Sequence, residues 1–434
     1  MSYAQSIDTY RHDPKQLETL FQQAAQAGET ADFAAGLDEI YHQIPENVLI
    51  SAWHYRLTGP VAQAEGGSRI NWILAVPIAL LSGLAFWLLT APALNLSGDL
   101  PFAILVAGPL AAVFVLLYLA LAHGRYWGRV APVAGALLAL AIFVVFFDNV
   151  RQWDQLQILW VLHLPILAWI GLGLAILGTK PDPARRFAFV TKSIEVGVTV
   201  GLFALAGGAF AGVTAGLFTT LGFDDLGPLM RLLITVIGGA TPVLAVALVY
   251  NAKADVLEQS FNQGLSKIVA ILMRLLLPLT VLVLLGYLAL VPGNFMEPFN
   301  NRDVLTVSNV MLFAVMALLV AATPLHLDEV GPTVGRFLRW GLLALAGLTL
   351  IVSLYALAAV LYRTGMGGFT LNRVTIIGWN LINVGLLGLL LVRQLRAQGK
   401  PWLAQLHSTI SVGLTAWAAW AGIVTVILPL IFKQ

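Results

Sequence analysis

The sequence predicts an all-α fold: a polytopic bundle of about eleven transmembrane helices preceded by a small helical segment at the N-terminus. Two observations predict it. Apolar stretches long enough to cross a bilayer fill the chain from about residue 72 to residue 432, and only 11% of residues are charged against 59% hydrophobic. A hydrocarbon core about 30 Å thick needs about 20 apolar residues at helical rise. Inside it the backbone must satisfy its own hydrogen bonds, which a helix does. The mean hydropathy of +0.85 agrees.

In order, the stretches are 72–92, 101–122, 130–147, 158–178, 194–221, 229–250, 268–291, 304–324, 338–361, 374–392 and 407–432. Trp72, Trp87, Trp160, Trp340 and Trp402 fall at or near their ends, where an indole favours the headgroup zone. With the N-terminus in the cytoplasm, sixteen Lys and Arg lie on the inner side, Arg56 and Arg69 among them, and six on the outer: Arg151, Arg231, Arg302, Arg363, Arg373 and Lys433. This bias predicts an inner (plasma) membrane protein, N-terminus cytoplasmic and C-terminus outside. The polar N-terminus lacks the pattern of a cleaved signal peptide, so the first apolar helix is expected to serve as signal anchor.

Residues 1–69 form a separate segment, with nine acidic residues against four basic ones. Asp13-Pro14 opens a helix, since Asp caps and Pro fits the first turn. Leu17, Leu20 and Phe21 follow at helical spacing, and Phe33, Leu37, Ile40 and Tyr41 mark a second helix closed by Pro45. Residues 48–57 read as a third. The spacing is similar to one tetratricopeptide hairpin without its usual Trp and Gly. One such repeat buries no core alone, which calls for packing on the bundle, on a cytoplasmic protein partner or on another copy. Phe21, Phe33, Leu37 and Trp53 are expected to be buried.

Within the apolar region, three features suggest function. Gly208, Gly212 and Gly216, with Gly197 and Gly201, give small-residue faces that let helices approach closely. They predict that the fifth stretch packs inside the bundle. Gly238, Gly239, Thr241 and Pro242 predict a kink or break in the sixth, because Pro242 leaves the Gly238 carbonyl without its donor. Asn380 and Asn383 share a helix face, suited to interhelical hydrogen bonds or to contact with a polar solute. Together Gly208, Gly212, Gly238, Gly239, Thr241, Pro242, Asn380 and Asn383 outline a candidate solute path. Glu195 is expected within one turn of a helix end, and no ionisable residue is expected near a midplane, which disfavours a carboxylate proton relay. The group Lys180, Arg185, Arg186 and Lys192 reads as a contact with anionic lipids.

The segment from Tyr362 to Arg373 places two arginines on the sparsely charged side. It is expected as a loop in which Arg363 or Arg373 pairs with an outer acid such as Asp224, Asp225, Glu297 or Asp303, the alternative being an anion contact. Its residues Tyr362, Arg363, Gly368, Thr370, Asn372 and Arg373, containing Gly-Phe-Thr-x-Asn-Arg, resemble an element that precedes the last two helices in a family of uncharacterised bacterial multi-pass inner-membrane proteins. The resemblance spans roughly residues 340–434, and Gly365 and Gly367 depart from it. It implies a fold and a loop, not a reaction.

Catalytic signals are sparse. There is no cysteine, hence no thiol chemistry, and no His-Glu-x-x-His, nucleophile-elbow or phosphate-loop pattern. His123, His326, Asp328 and His407 fall on one side without a ligand spacing. No cofactor, catalytic residue or nucleic acid is expected. The sequence favours a membrane scaffold or sensor that couples to a cytoplasmic partner through residues 1–69. The alternatives are a permease for a small neutral or anionic solute and an integral membrane enzyme.

Overall fold

The computed structural model describes residues 3–27, 29–58, 70–91, 102–124, 127–151, 154–223, 225–261, 264–326, 330–396 and 401–432. All regular structure among them is helical. The chain divides into two compact units, Met1–Arg69 and Ile70–Gln434.

The first unit has one helix more than its sequence pattern suggests: α1 (Tyr3–Thr9), α2 (Pro14–Ala27), α3 (Thr30–Gln43) and α4 (Val48–Thr58). Asp13 caps α2, its carboxylate accepting from the backbone N–H groups of Lys15 and Gln16. Asn47 does the same for α4. Caps of this kind satisfy donors the helix cannot satisfy itself. The overlooked α1 closes the core, placing Ile7 beside Leu17, Phe33, Leu37, Ile50 and Trp53. Phe33, Leu37 and Trp53 are buried, and Phe21 half-buried, in a cluster of edge-on and tilted rings 5.3–5.9 Å apart. The unit therefore encloses a core of its own.

The second unit contains nine helices long and apolar enough to cross a membrane among the described residues, plus two shorter apolar ones, Ala107–His123 and Leu305–Ala321. This set is compatible with a multi-pass membrane protein. In order the helices are α5 (Trp72–Leu89), α6 (Ala107–His123), α7 (Trp127–Arg151), α8 (Asp154–Leu177), α9 (Pro183–Thr220), α10 (Gly227–Val249), α11 (Gly264–Leu290), α12 (Arg302–Ala321), α13 (Pro332–Gly367), α14 (Leu371–Leu395) and α15 (Trp402–Gly422). A π-helical turn, Ile423–Ile427, and a last short helix, Leu428–Ile431, continue α15. The starts of α5, α7, α9, α11, α13 and α15 share one end of the bundle, here termed the basic end.

Two helices run well past their apolar stretches. α9 begins eleven residues before Ile194 because Asp182 accepts from Arg185 N–H and Pro183 fits the first turn. Glu195 consequently lies three turns into the helix. α13 continues to Gly367, so Tyr362 and Arg363 are helical and the connection to α14 shrinks to Gly368, Phe369 and Thr370.

α10 is not broken at Pro242. The helix is continuous, Ser82 donates to the Gly239 carbonyl at 2.6 Å, and Thr241 donates to the Ile237 carbonyl. An α5–α10 contact thus occupies a carbonyl next to the one Pro242 leaves free. Gly239 sits directly on α5: a Cβ there would lie 2.9 Å from Gly83 Cα. The α9 glycines expected to pack inward do not. Gly208, Gly212 and Gly216 are exposed and an added Cβ would meet open space, whereas Gly207 and Ala211, one residue earlier, are the ones on the packed side.

Candidate functional site

Lys192 and Glu195, three residues apart on α9, share a helix face. They form the most buried ion pair among the described residues, at 2.7 Å with the two residues 3% and 7% exposed. This corrects the lipid contact expected of Lys192, whose ammonium points inward. Its Nζ also donates to the Ser260 carbonyl at 2.6 Å and to Ser266 Oγ at 3.3 Å, and lies 5.3 Å from the Phe261 ring. Three acceptors surround an ammonium with three donors, as a buried charge requires.

The segment over this pair is organised by its own side chains. Asp255 and Glu258 form a reciprocal cap on the 3₁₀ turn Val256–Glu258. Gln259 closes the segment by accepting from Asn251 N–H and donating to the Asn251 carbonyl. Arg185 fastens it to α9 through Asp255 at 3.0 Å, and His123 Nδ1 lies 2.7 Å from the Ala252 carbonyl. Beneath it is a small cavity of about 30 Å³ lined in part by Glu195, Ser266, Arg274 and Thr323. A polar space of that size can hold water. Chemically this is a charge-locked strap. Arg186 is also engaged, donating to the Ser411 carbonyl and Thr415 Oγ1, while Lys180 is exposed.

The asparagines of the candidate solute path lie elsewhere. α10 packs on α5 and α9, whereas α14 packs on α13 and α15. Gly208, Gly212 and Gly238 face outward, and Gly239 and Thr241 are buried at helix contacts, so the path is not assembled. Asn380 donates to Asn309 Oδ1 at 2.7 Å, and Asn383 accepts from Trp417 Nε1 at 3.0 Å. Further indoles do the same work. Trp379 donates to His163 Nε2 at 2.8 Å, which fixes His163 Nδ1–H toward the Leu159 carbonyl. Trp420 donates to the Thr375 carbonyl and Trp160 to the Thr425 carbonyl within the π turn. Trp160 is fully buried and so is no headgroup anchor, in contrast to Trp72 and Trp340, which are exposed. The sequence reading missed these donors because a Trp near a helix end suggests an interface, and nothing in its spacing points to a carbonyl 265 residues away.

At the α13–α14 turn, Gly368 has φ 74°, a left-handed conformation that glycine adopts without strain. Thr370 caps α14 by accepting from Arg373 N–H. Arg373 Nη1 donates to the Gly368 carbonyl at 2.7 Å, its guanidinium lying against Gly367. Among the described residues the partner of Arg373 is thus a backbone carbonyl and not an acid. Arg363 is half-buried and makes no ion pair with a described carboxylate; Asp224 and the Asp303 side chain lie outside the described residues. Tyr362 packs edge-on against Phe299, and Asn372 is half-buried.

His407 stacks on Phe187 at 4.0 Å. Among the described residues no three His, Asp or Glu gather as a metal would require; Asp328 is outside them. Compared with known proteins, the chain matches no family model, no curated protein and no solved structure.

Proposed function

We propose that this chain is a membrane scaffold or sensor that presents residues 1–69 to a cytoplasmic protein partner, from an inner membrane in which its N-terminus faces the cytoplasm and its C-terminus the outside. The observation that carries the reading is the first unit itself, a four-helix module with an aromatic core enclosed by its own helices. Because that core is enclosed by the unit's own helices, the side chains it leaves exposed can serve another protein. On α4, Val48 (82% exposed), Ala52 and Tyr55 (63% exposed) recur at i, i+4 and i+7 as an open apolar ridge. Tyr41 stacks on His54 at 3.8 Å beside it, and its hydroxyl lies 3.1 Å from that of Tyr55. Aromatic anchors within an acidic surface suit a partner with an apolar groove and a basic rim.

For the permease alternative, Gly208, Gly212 and Gly238 face outward, and Asn380 and Asn383 each make an interhelical hydrogen bond while keeping one buried amide atom unpartnered. The test places a photo-crosslinking side chain at Ala52 and, separately, at exposed Leu282 on α11, in the full chain in its native membrane. The expected result is a discrete protein adduct from position 52, absent from position 282 and abolished by Trp53→Ala. No adduct from position 52, together with stabilisation of the purified protein by a small solute, would overturn the reading in favour of transport.

A further inference from the structure

The basic end of the bundle holds a second polar feature, unconnected with the strap over Lys192. The first turns of α13 and the start of α15 enclose a cleft of about 650 Å³, lined by Gly331, Pro332, Gly335, Arg336, Arg339 and Trp402 among others. Among the described residues its charge is one-sided. Among the described residues neither Arg336 nor Arg339 has a carboxylate within 4 Å, and the same holds for Arg393 and Arg396 at the adjoining end of α14. Arg339 reaches only the Gln394 carbonyl, at 3.5 Å, and its Nε is buried without a partner. Asp328 and Glu329, just before the cleft, lie outside the described residues.

The helix itself adds to the imbalance. α13 has no side-chain cap and no acidic residue in its first turn, so its positive dipole end adds to the two guanidiniums that line the same cleft. Positive groups gathered this way repel one another unless an anion lies between them. Guanidinium geometry selects the anion's chemistry, for its fork of donors matches the oxygens of a phosphate.

The surroundings select the source of that phosphate. Val334, Phe337 (55% exposed) and Trp340 (67% exposed) form an apolar ridge alongside the arginines on α13. Trp402 lies in the cleft wall. Cationic heads beside an apolar ridge at the end of long apolar helices match the boundary between lipid headgroups and acyl chains. A free phosphate would use the guanidiniums and leave the ridge bare. A cleft of this volume also exceeds what a bare phosphate fills and falls in the range of organic ligand sites.

We propose that this cleft is a binding site for the phosphate headgroup of an anionic phospholipid, with Arg336 and Arg339 on the phosphate and the Val334–Phe337–Trp340 ridge along an acyl chain. It differs from the lipid contact read from Lys180 to Lys192, where Arg185, Arg186 and Lys192 are committed to protein partners.

The test titrates the purified full-length protein with phosphatidylglycerol or phosphatidylcholine and counts retained lipid by native mass spectrometry. The wild-type protein should retain phosphatidylglycerol in preference. Arg336→Gln should weaken that retention about tenfold, as expected for the loss of one charge-assisted contact, and Arg336→Gln/Arg339→Gln should abolish the preference. Arg185→Gln, which removes a basic side chain paired with Asp255 at the same end, should leave the preference intact. Equal loss in Arg185→Gln would reveal a diffuse charge effect and overturn the site. So would a preference unchanged in both arginine variants. Inorganic phosphate that displaces the lipid completely, with no preference between the two lipids, would assign the cleft to a soluble anion instead. Should the double variant fold poorly, Arg336→Gln alone decides, because Arg336 is exposed and lacks a described partner.

Discussion

The Lys192–Glu195 pair offers the sharpest prediction. Removing one member of a buried ion pair leaves the other without its counter-charge, at a cost of about 3–5 kcal/mol. In Lys192→Met the Glu195 carboxylate remains, and the loss of the donor to Ser260 also loosens the strap by a charged hydrogen bond, about 1.5–3 kcal/mol on its own. These terms overlap, so Lys192→Met is expected at the upper end, about 4–5 kcal/mol. Glu195→Gln keeps an oxygen near the ammonium and should cost less, about 2–3 kcal/mol. The double variant removes both charges and should cost less than the sum of the singles by about 2–3 kcal/mol, the coupling of residues in direct contact.

The assay is equilibrium unfolding of the detergent-purified protein for the four members of the cycle, with hydrogen exchange of residues 251–261 as a local readout. In Lys192→Met that segment should exchange faster even where the bundle stays folded, because its Ser260 tether is gone. If both singles fell within about 1 kcal/mol of the wild-type protein, as surface pairs do, the pair would be behaving as solvated and the strap reasoning would fail.

Gly239→Leu should destabilise by about 1–3 kcal/mol or more through overpacking against Gly83 and Phe86, whereas Gly212→Leu should stay within about 0.5 kcal/mol, as thermal unfolding of the two variants would reveal. Arg373→Lys should be milder than Arg373→Met, since a single carbonyl accepts from an ammonium as well as from a guanidinium; equal losses in unfolding assays would mean the planar fork matters after all. Glu18 is held below the usual carboxylate range by the Gln22 side-chain hydrogen bond and then by Arg56. A depressed folded-state value stabilises above the ordinary carboxylate pKa and is lost as pH falls through the lowered one. Acidification should therefore raise hydrogen exchange across α2 and α4 in the wild-type chain, and less so in Glu18→Gln.

The eleven apolar helices were legible because a backbone in hydrocarbon leaves one strong sequence trace, length with apolarity. The helix ends were not. Hydropathy reports where a helix is apolar and not where it stops, so the apolar stretch starts at 194 although Asp182 caps the eleven preceding residues, Pro183 to Ser193, into α9. The α9 glycines show a different limit. Small-residue spacing identifies faces that could pack, and Gly207 and Gly208 are about 100° apart on the helix. Only the position of Ile237 on α10 decides that the Gly207 face is used. Lys192 and Glu195 were visible as opposite charges at i, i+3, but their burial depends on Ser260, 68 residues later. At the arginine turn, charge counting directs attention to distant acids and overlooks a local acceptor, the Gly368 carbonyl five residues before Arg373.

These outcomes share a physical origin. An unsatisfied polar group in an apolar interior costs more than a hydrogen bond returns in water, so each polar side chain inside a bundle acts as a demand for one particular partner. Trp379 with His163, Trp417 with Asn383, Trp160 with Thr425 and Asn380 with Asn309 meet that demand between helices. An indole carries a single donor, and each such bond therefore sets rotation and register for the two helices it joins. Not every demand is met: Asn380 Oδ1, Asn383 Nδ2 and the Thr349 and Ser353 hydroxyls are buried without a described partner. At the margins, the α4 ridge of the first unit and the two guanidiniums at the start of α13, which no described carboxylate balances, are also open to engagement.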